Sequence, residues 1–376
     1  MPRVLHIVEN LDRGAVENWL IFMLRTAAAA AVPVDWTFYC TLQHPGRLEQ
    51  DARKLGARVL HSPVPMGDKA GFARALRAEL RRGSYDVLHC HHDLVSAVYL
   101  AASLGLGIRR RLVHVHNADE SVLTPNRLKQ KLFRPILRRV CLALADRIVG
   151  ISNDTLDTFI GGRKRREGVD VVHYYGIDTA PFESVGGDRI AFRRALGLND
   201  DARILLFAGR LVPEKNPLFA LEVLRELQRL EPTAVAVFAG SGSLEAPLQQ
   251  RTAELNLIGA VRLLGWRSDI AEIMCCCDWF VLPHPEQPVE GFGIAVVEAQ
   301  LAGMQLLLSN GVADDPLLPG SRYRRLSLAA GPLAWAKAAL ELLRQERPSR
   351  TEALTEIRGS PMDARRSLSA LLQLHG

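Results

Sequence analysis

Short β-branched or apolar runs alternate with amphipathic runs along most of the chain, in two successive series. Strands are expected near residues 3–8, 34–41, 58–60, 86–90, 112–115 and 147–151, with 169–173 closing the set and helices between most of them. Such alternation implies βαβ units on a parallel sheet. Composition then breaks at 176–188, where Gly, Pro and Ser cluster around IDTAPFESVGGD, and the alternation restarts. The second series has strands near 204–208, 235–239, 261–264, 279–282 and 305–309, and helices near 217–230, 244–256, 269–275 and 294–302. Residues 315–326 read as irregular, with amphipathic helices at 333–345 and 362–374. A chain of 376 residues exceeds the usual limit of one core, so two α/β domains, each a doubly wound parallel sheet, are expected in series across a cleft.

Composition narrows the classes. Lys plus Arg total 47 against 41 Asp plus Glu, a net charge of +6 that suits an anionic partner but falls short of a nucleic-acid signature. The first residues carry no signal-peptide pattern, and no apolar stretch reaches the ~18 residues of a membrane-spanning helix. The six cysteines, three of them consecutive at 275–277, lack zinc-finger spacing and read as reduced, mostly buried thiols of a cytosolic protein.

The chemistry concentrates in PHPEQPVEGFGIAVVEAQLAG, residues 283–303. Gly291 and Gly293 permit a tight turn, and 294–302 reads as a buried helix closed by Gly303. The free N–H groups and positive dipole end at 291–294 suit a phosphate. Glu298 lies too far into the helix to cap it; a carboxylate on an apolar helix needs polar partners, such as ribose hydroxyls. FAGRLVPEKNP, residues 207–217, follows a strand and opens a helix. Gly209 starts its turn, and Arg210 and Lys215 place two cations where a diphosphate fits, although solvated loop charges fit the stretch equally well. AGSGSLEAPL and LGWRSDI are two further glycine turns on the same expected sheet edge.

GRLVPEK, then GSG, LGW and E-GFG with a second Glu eight positions after the first, resembles the retaining nucleotide-sugar glycosyltransferases of family four, the glycosyl transferases group one. VLHIVENLDRGAVENWL, DVLHCHH, VHVHN, ADRIVGIS and YYGID extend the likeness over nearly the whole chain. The resemblance implies a GT-B fold of two Rossmann-like domains facing across a cleft: 1–180 on the acceptor side, 181–360 binding the nucleotide sugar, and 361–376 crossing back to the first. It further implies that Arg210 and Lys215 clamp the donor diphosphate and that Glu298 takes the ribose. Glu290 and the backbone of Gly291, Phe292 and Gly293 would meet the transferred sugar and its phosphate, with Gly209 in the diphosphate loop. Gly14 would approach the same phosphates, and His116 would face the reacting carbon and the acceptor. The implied reaction is front-face hexosyl transfer from a UDP- or GDP-linked sugar, with no metal and no further cofactor. One departure is Ala15, where the family commonly has a second glycine; a methyl there would crowd the phosphates if the residue needed positive φ. Glu286 is a second candidate for the first carboxylate, but spacing favours Glu290.

His89, His91 and His92 with Asp93 could form a metal cluster, as could His114 and His116, which point the same way on a strand but have no third ligand at helical or hairpin spacing. They read as polar strand ends lining a cleft, with no metal. The basic stretch RLKQKLFRPILRR, residues 127–139, sets Leu128, Leu132, Ile136 and Leu137 among cations. It fits a helix lying on an anionic membrane and, equally, a half-buried surface helix. A membrane contact points to a glycan or lipid-linked acceptor and a place at the cytoplasmic face. The alternatives are a nucleotide-sugar epimerase on the same fold and a donor-binding protein impaired by Ala15.

Overall fold

The computed structural model describes residues 1–12, 14–117 and 127–376, and of 127–131 the backbone alone. Contacts divide the chain into two compact units, Met1–Ile177 with Ser360–Gly376, and Asp178–Gly359.

The first unit holds β1 (Arg3–Val8), β2 (Asp35–Cys40), β3 (Arg58–His61), β4 (Val87–Cys90), β5 (Arg110–Val115), β6 (Arg147–Gly150) and β7 (Asp170–Val172). All pair in parallel, in the order β3-β2-β1-β4-β5-β6-β7. Strand alternation gives the sheet two different faces. Leu5, Ile7, Leu88, Cys90, Val113 and Val115 point into an apolar core with Phe72, Leu76 and Tyr99. Full burial of a side chain such as Phe72 stabilises the fold by about 2–3 kcal/mol. The opposite face carries His6, His89 and His114, with Trp19 of the helix Ala15–Ala29 and His375 of the helix Ala364–His375 against it.

The second unit holds β8 (Arg203–Ala208), β9 (Ala234–Ala239), β10 (Val261–Gly265), β11 (Trp279–Leu282), β12 (Gln305–Ser309) and β13 (Tyr323–Leu326). They too are parallel, in the order β10-β9-β8-β11-β12-β13. The chain moves outward from β8 through β9 to β10, then returns to place β11 on the other side of β8, which creates a crevice beyond their carboxyl ends. The helix Pro217–Leu230 starts with proline at its first position and buries Ala220, Leu221, Val223, Leu224 and Leu227, the 3–4 spacing of an amphipathic helix.

One strand and three helices of the second unit depart from the sequence expectation. Residues 323–326 form β13 within the stretch expected to be irregular. Its sequence, YRRL, has no apolar run because it is an edge strand, where charge is tolerated. Helices Ala180–Ser184, Arg189–Ala195 and Arg350–Gly359 lie outside the expected set, the first because a Gly/Pro/Ser cluster hides it.

The second unit is fastened at Asp278, just before β11. This buried carboxylate accepts from Arg189, from Arg193 at 3.1 Å and from the Ile204 N–H at 2.8 Å, with Arg347 at 3.7 Å. Arg193 is itself buried and donates to the carbonyls of Ala202 and Cys276 at 2.8 and 3.2 Å. All six cysteines are buried and free. No helix among the described residues is long and apolar enough to cross a membrane.

Candidate functional site

The loops after β8 and β11 converge at the crevice of the second unit. Gly209 opens the first loop, followed by the single 3-10 turn Pro213–Lys215 and Asn216 in the left-handed region, φ 51°. That turn directs Lys215 onto Glu290, with which it forms an ion pair. His284, two residues beyond β11, places Nε2 3.4 Å from the same carboxylate and donates from Nδ1–H to the Pro285 carbonyl, 2.9 Å away. Burial lowers the His284 pKa, against the pull of the Glu290 charge. Glu290 is pinned from behind, since its N–H donates to the Gly311 carbonyl at 2.7 Å. Lys215, Glu290 and His284 therefore form one half-buried charged cluster, in which an anionic ligand would compete with Glu290 for the lysine.

Arg210 is exposed and makes no ion pair or side-chain hydrogen bond among the described residues. Its guanidinium is thus available to a ligand. Glu286 is also exposed; it accepts from Asn310 Nδ2 at 3.3 Å and stands apart from the lysine cluster. Asp314, unplaced by sequence, pairs with Arg325 at 2.6 Å.

Gly291, Phe292 and Gly293 lead into the helix Ile294–Leu301. Phe292 is buried, and Gly293 caps the helix at φ 74° with no side-chain hydrogen bond to the first turn. A left-handed cap of this kind favours glycine, and the N-terminal donors stay open to a ligand. Glu298, one turn in, is half-buried and makes no side-chain hydrogen bond among the described residues. Burial pushes its pKa up to about 7, and the charge of Asp178 adds to the rise. A desolvated carboxylate without partners is primed to accept hydroxyl hydrogen bonds.

The glycine turn after β9 has another role. A Cβ on Gly240 would overlap the Gly209 carbonyl, and one on Gly242 the Leu211 carbonyl. Leu211 N–H donates to Ser241 O at 2.9 Å and Leu244 N–H to Leu211 O at 2.8 Å. These glycines let two loops pack backbone to backbone, which fixes the Arg210 loop.

In the first unit, Gly14 caps the helix Ala15–Ala29 in an extended conformation, φ −88°, and its carbonyl accepts from Asn18 Nδ2 at 2.8 Å. Ala15 begins the helix and is not among the residues with positive φ, so its methyl brings no left-handed strain. The carboxylate of Glu17 lies over Gly14; burial pushes its pKa up to about 7, and the charges of Glu9 and Asp12 raise it further. That loop is acidic, which disfavours phosphate unless Glu17 is protonated or displaced.

His116 follows β5 and is buried with both ring nitrogens engaged, Nδ1 to the Tyr175 hydroxyl at 2.6 Å and Nε2 to His91 Nδ1 at 2.9 Å. Burial lowers its pKa to about 3, so the ring is neutral. His92, set aside by sequence, bonds instead to the Tyr99 hydroxyl at 2.7 Å, and Asp93 accepts from the His116 N–H at 2.9 Å. Residues 118–126 lie outside the described set. In the helix Arg127–Leu144, Leu137 packs on the core while Leu132, Phe133 and Ile136 are exposed; the Leu128 side chain lies outside the described residues.

Sequence reasoning found Lys215 and Glu290 but missed His284. The available signal was its position two residues past a fully buried strand, where ligand-facing side chains of parallel sheets emerge.

Comparison with known proteins gives a consistent result. Residues 188–316 match the family model described as glycosyl transferases group 1, and residues 16–181 the model described as Glycosyltransferase Family 4. A D-inositol 3-phosphate glycosyltransferase of Streptomyces avermitilis is 31% identical over 364 residues, covering 89% of this chain and 76% of the relative. EpsF of Bacillus subtilis (strain 168), assigned as a glycosyltransferase, is 26% identical over 99% of this chain and 96% of its own. Among solved structures, Anabaena Alr3699/HepE in complex with UDP superposes with a TM-score of 0.77 at 17% identity, covering 99% of this chain and 98% of that one.

Proposed function

We propose a donor, a stereochemical course and an acceptor class for this chain, which belongs to the group 1, family 4 glycosyltransferases and has their two-domain GT-B fold. The donor is a nucleotide diphosphate sugar, UDP- or GDP-linked, and the group moved is a hexose delivered with retention to a hydroxyl of a growing cell-surface glycan or lipid-linked acceptor. The observation that carries this reading is the convergence of Arg210, Lys215 and the open helix end at Gly293 on the crevice beyond β8 and β11, with unpartnered Glu298 beside them. HepE, bound to UDP, supports a uridine donor.

The diphosphate is held by Arg210, Lys215 and the N–H groups at the start of the helix Ile294–Leu301, while Glu298 takes the ribose hydroxyls. Lys215 is transferred from Glu290 to the diphosphate when the donor binds, which frees Glu290 to meet the sugar. The leaving diphosphate gathers negative charge as the glycosidic bond breaks, and its oxygen takes the proton of the incoming hydroxyl on the same face. Fixed positive groups are the main requirement of such a step, each contributing about 3 kcal/mol, and no metal at the diphosphate is invoked. Gly209 sets the diphosphate loop, Gly14 lends backbone on the phosphate side, and His116 serves the acceptor side as a neutral ring held by Tyr175.

Nucleotide diphosphate release from UDP- and GDP-sugars, with and without hydroxyl acceptors, tests the reading. Acceptor-dependent release with an α-linked product from an α-linked donor is expected; epimerised donor formed without acceptor would replace transfer with epimerisation.

Glu298 supplies a pH prediction. Its folded pKa, about 7, lies above the ordinary glutamate value, so in the free protein its stability contribution is present below about 4.5 and lost as pH rises through about 7. Hydroxyl hydrogen bonds favour the ionised form, so nucleotide binding at pH 6 releases a proton. Calorimetry in buffers of different ionisation enthalpy should detect this release, and Glu298→Gln should abolish it. Proton release unchanged in the variant would remove Glu298 from the ribose site.

The exposed Leu132, Phe133 and Ile136, set among the arginines of the helix Arg127–Leu144, support peripheral contact with an anionic membrane at the cytoplasmic face. Co-sedimentation with vesicles containing phosphatidylglycerol should be salt-sensitive and fall several-fold in Leu132→Ser/Phe133→Ser/Ile136→Ser. Equal recovery of both proteins would assign the helix to the protein surface alone.

A further inference from the structure

The histidine face of the first unit is built differently from the core on the sheet's other side. His6, His89, His91, His114 and His116 alternate with the apolar residues of β1, β4 and β5, and His375 reaches them from the last turn of the chain. Their rings form two rows. One runs from the Tyr175 hydroxyl through His116 and His91 to His6, the last step 3.0 Å between His91 Nε2 and His6 Nδ1. The other joins His114 Nδ1 to His89 Nε2 at 3.2 Å, and His89 Nδ1 to His375 Nε2 at 3.1 Å.

A neutral imidazole has one N–H and one lone pair, so each row can be satisfied internally and only its ends are left over. His6 Nε2, His114 Nε2 and His375 Nδ1 are those ends, all buried and without a partner among the described residues. Each unpartnered buried polar atom carries a desolvation cost that leucine at the same position would not.

We propose that His6, His89 and His375 bind one transition-metal ion, zinc by preference, which fastens the C-terminal helix to the sheet of the first unit. One ring nitrogen from each of the three lies within 4.8 Å of the other two. The 3.1 Å between His89 Nδ1 and His375 Nε2 is close to the ~3.3 Å that separates two nitrogens on a tetrahedral zinc with bonds of ~2.0–2.1 Å. His6 Nε2 is free to complete the set, and a water would take the fourth position. Two of the three outward nitrogens are already held, His6 Nδ1 by His91 and His89 Nε2 by His114, which fixes the tautomers of those two ligating imidazoles. Metal binding at His89 Nδ1 and His375 Nε2 would replace the hydrogen bond these two atoms now share.

An ion here also sets the direction of the first row: with His6 Nε2 on the metal, His6 donates to His91, His91 to His116, and His116 Nδ1 to Tyr175. A surface pocket of about 410 Å³, lined by Met1, Pro2, Arg109 and Arg110 among others, borders His375. The second trio with suitable spacing, His89, His91 and His114, competes for His89 and would draw His91 away from His6 and His116. The sequence expectation of no metal missed this set because its members come from residues 6, 89 and 375, at no local spacing.

The site is independent of the transfer reading. Tag-free full-length protein, stripped with chelator, given cobalt(II) or zinc and desalted, should retain one equivalent, with intense tetrahedral cobalt bands and an imidazole shell at ~2.0 Å by X-ray absorption. His375→Gln should weaken binding by at least about 100-fold, while His44→Gln, an exposed histidine outside the cluster, should not. Loss of metal on desalting, weak octahedral bands, or equal retention by His375→Gln would overturn the proposal. The wild-type spectrum decides the question even if His375→Gln does not fold.

Discussion

Lys215→Ala is expected to lower kcat/KM for glycosyl transfer by at least ~100-fold, about 3 kcal/mol of lost transition-state stabilisation. The lysine has two successive partners in this account. Without donor it neutralises Glu290; with donor its charge moves to the diphosphate, where charge develops as the sugar departs. Deleting it also leaves the half-buried Glu290 carboxylate with only His284 nearby, so a stability control is needed. Lys215→Ala/Glu290→Gln removes both charges; it should regain any lost melting temperature and stay at least as slow as the single lysine variant. Transfer restored along with stability would mean that the lysine acts only by holding Glu290.

The second large effect is on stability. Asp278→Ala should destabilise the second unit by about 3–5 kcal/mol, because buried Arg193 loses its counter-charge while remaining walled in by backbone carbonyls. For a unit of this size the melting temperature should fall by about 10 °C. Arg193→Met in the same background should recover part of the loss, since an apolar side chain removes the stranded charge. A fall below about 2 °C in Asp278→Ala would mean that Arg189, Arg203 and Arg347, the other guanidiniums around Asp278, carry no dependence on it.

The strands were legible because buried parallel strands read as short apolar runs: β11 and β12 occupy 279–282 and 305–309, as their sequences suggest. β13 was not, since an edge strand with two arginines carries no such run. The loops that carry the proposed clamp were legible as residue types, through GRLVPEK and E-GFG. The ion pair between Lys215 and Glu290 was not, because the partners are 75 residues apart and meet only once β11 folds beside β8. His284 was hidden within a proline-rich turn. His114 and His116 were visible at strand alternation and His89 beside His91 and His92, but the partner His375 lies 286 residues from His89. Close spacing in sequence reveals local clusters; this one depends on tertiary closure by the last helix.

The central claim is that the loops after β8 and β11 hold a nucleoside diphosphate. Calorimetric titration with UDP, GDP and ADP tests it most directly, comparing the wild type with Arg210→Ala/Lys215→Ala. The account predicts that one of the three binds the wild type and that the double variant binds it at least ~100-fold more weakly, through loss of two charge-assisted contacts. No binding by any of the three, or equal affinity in the variant, would contradict it.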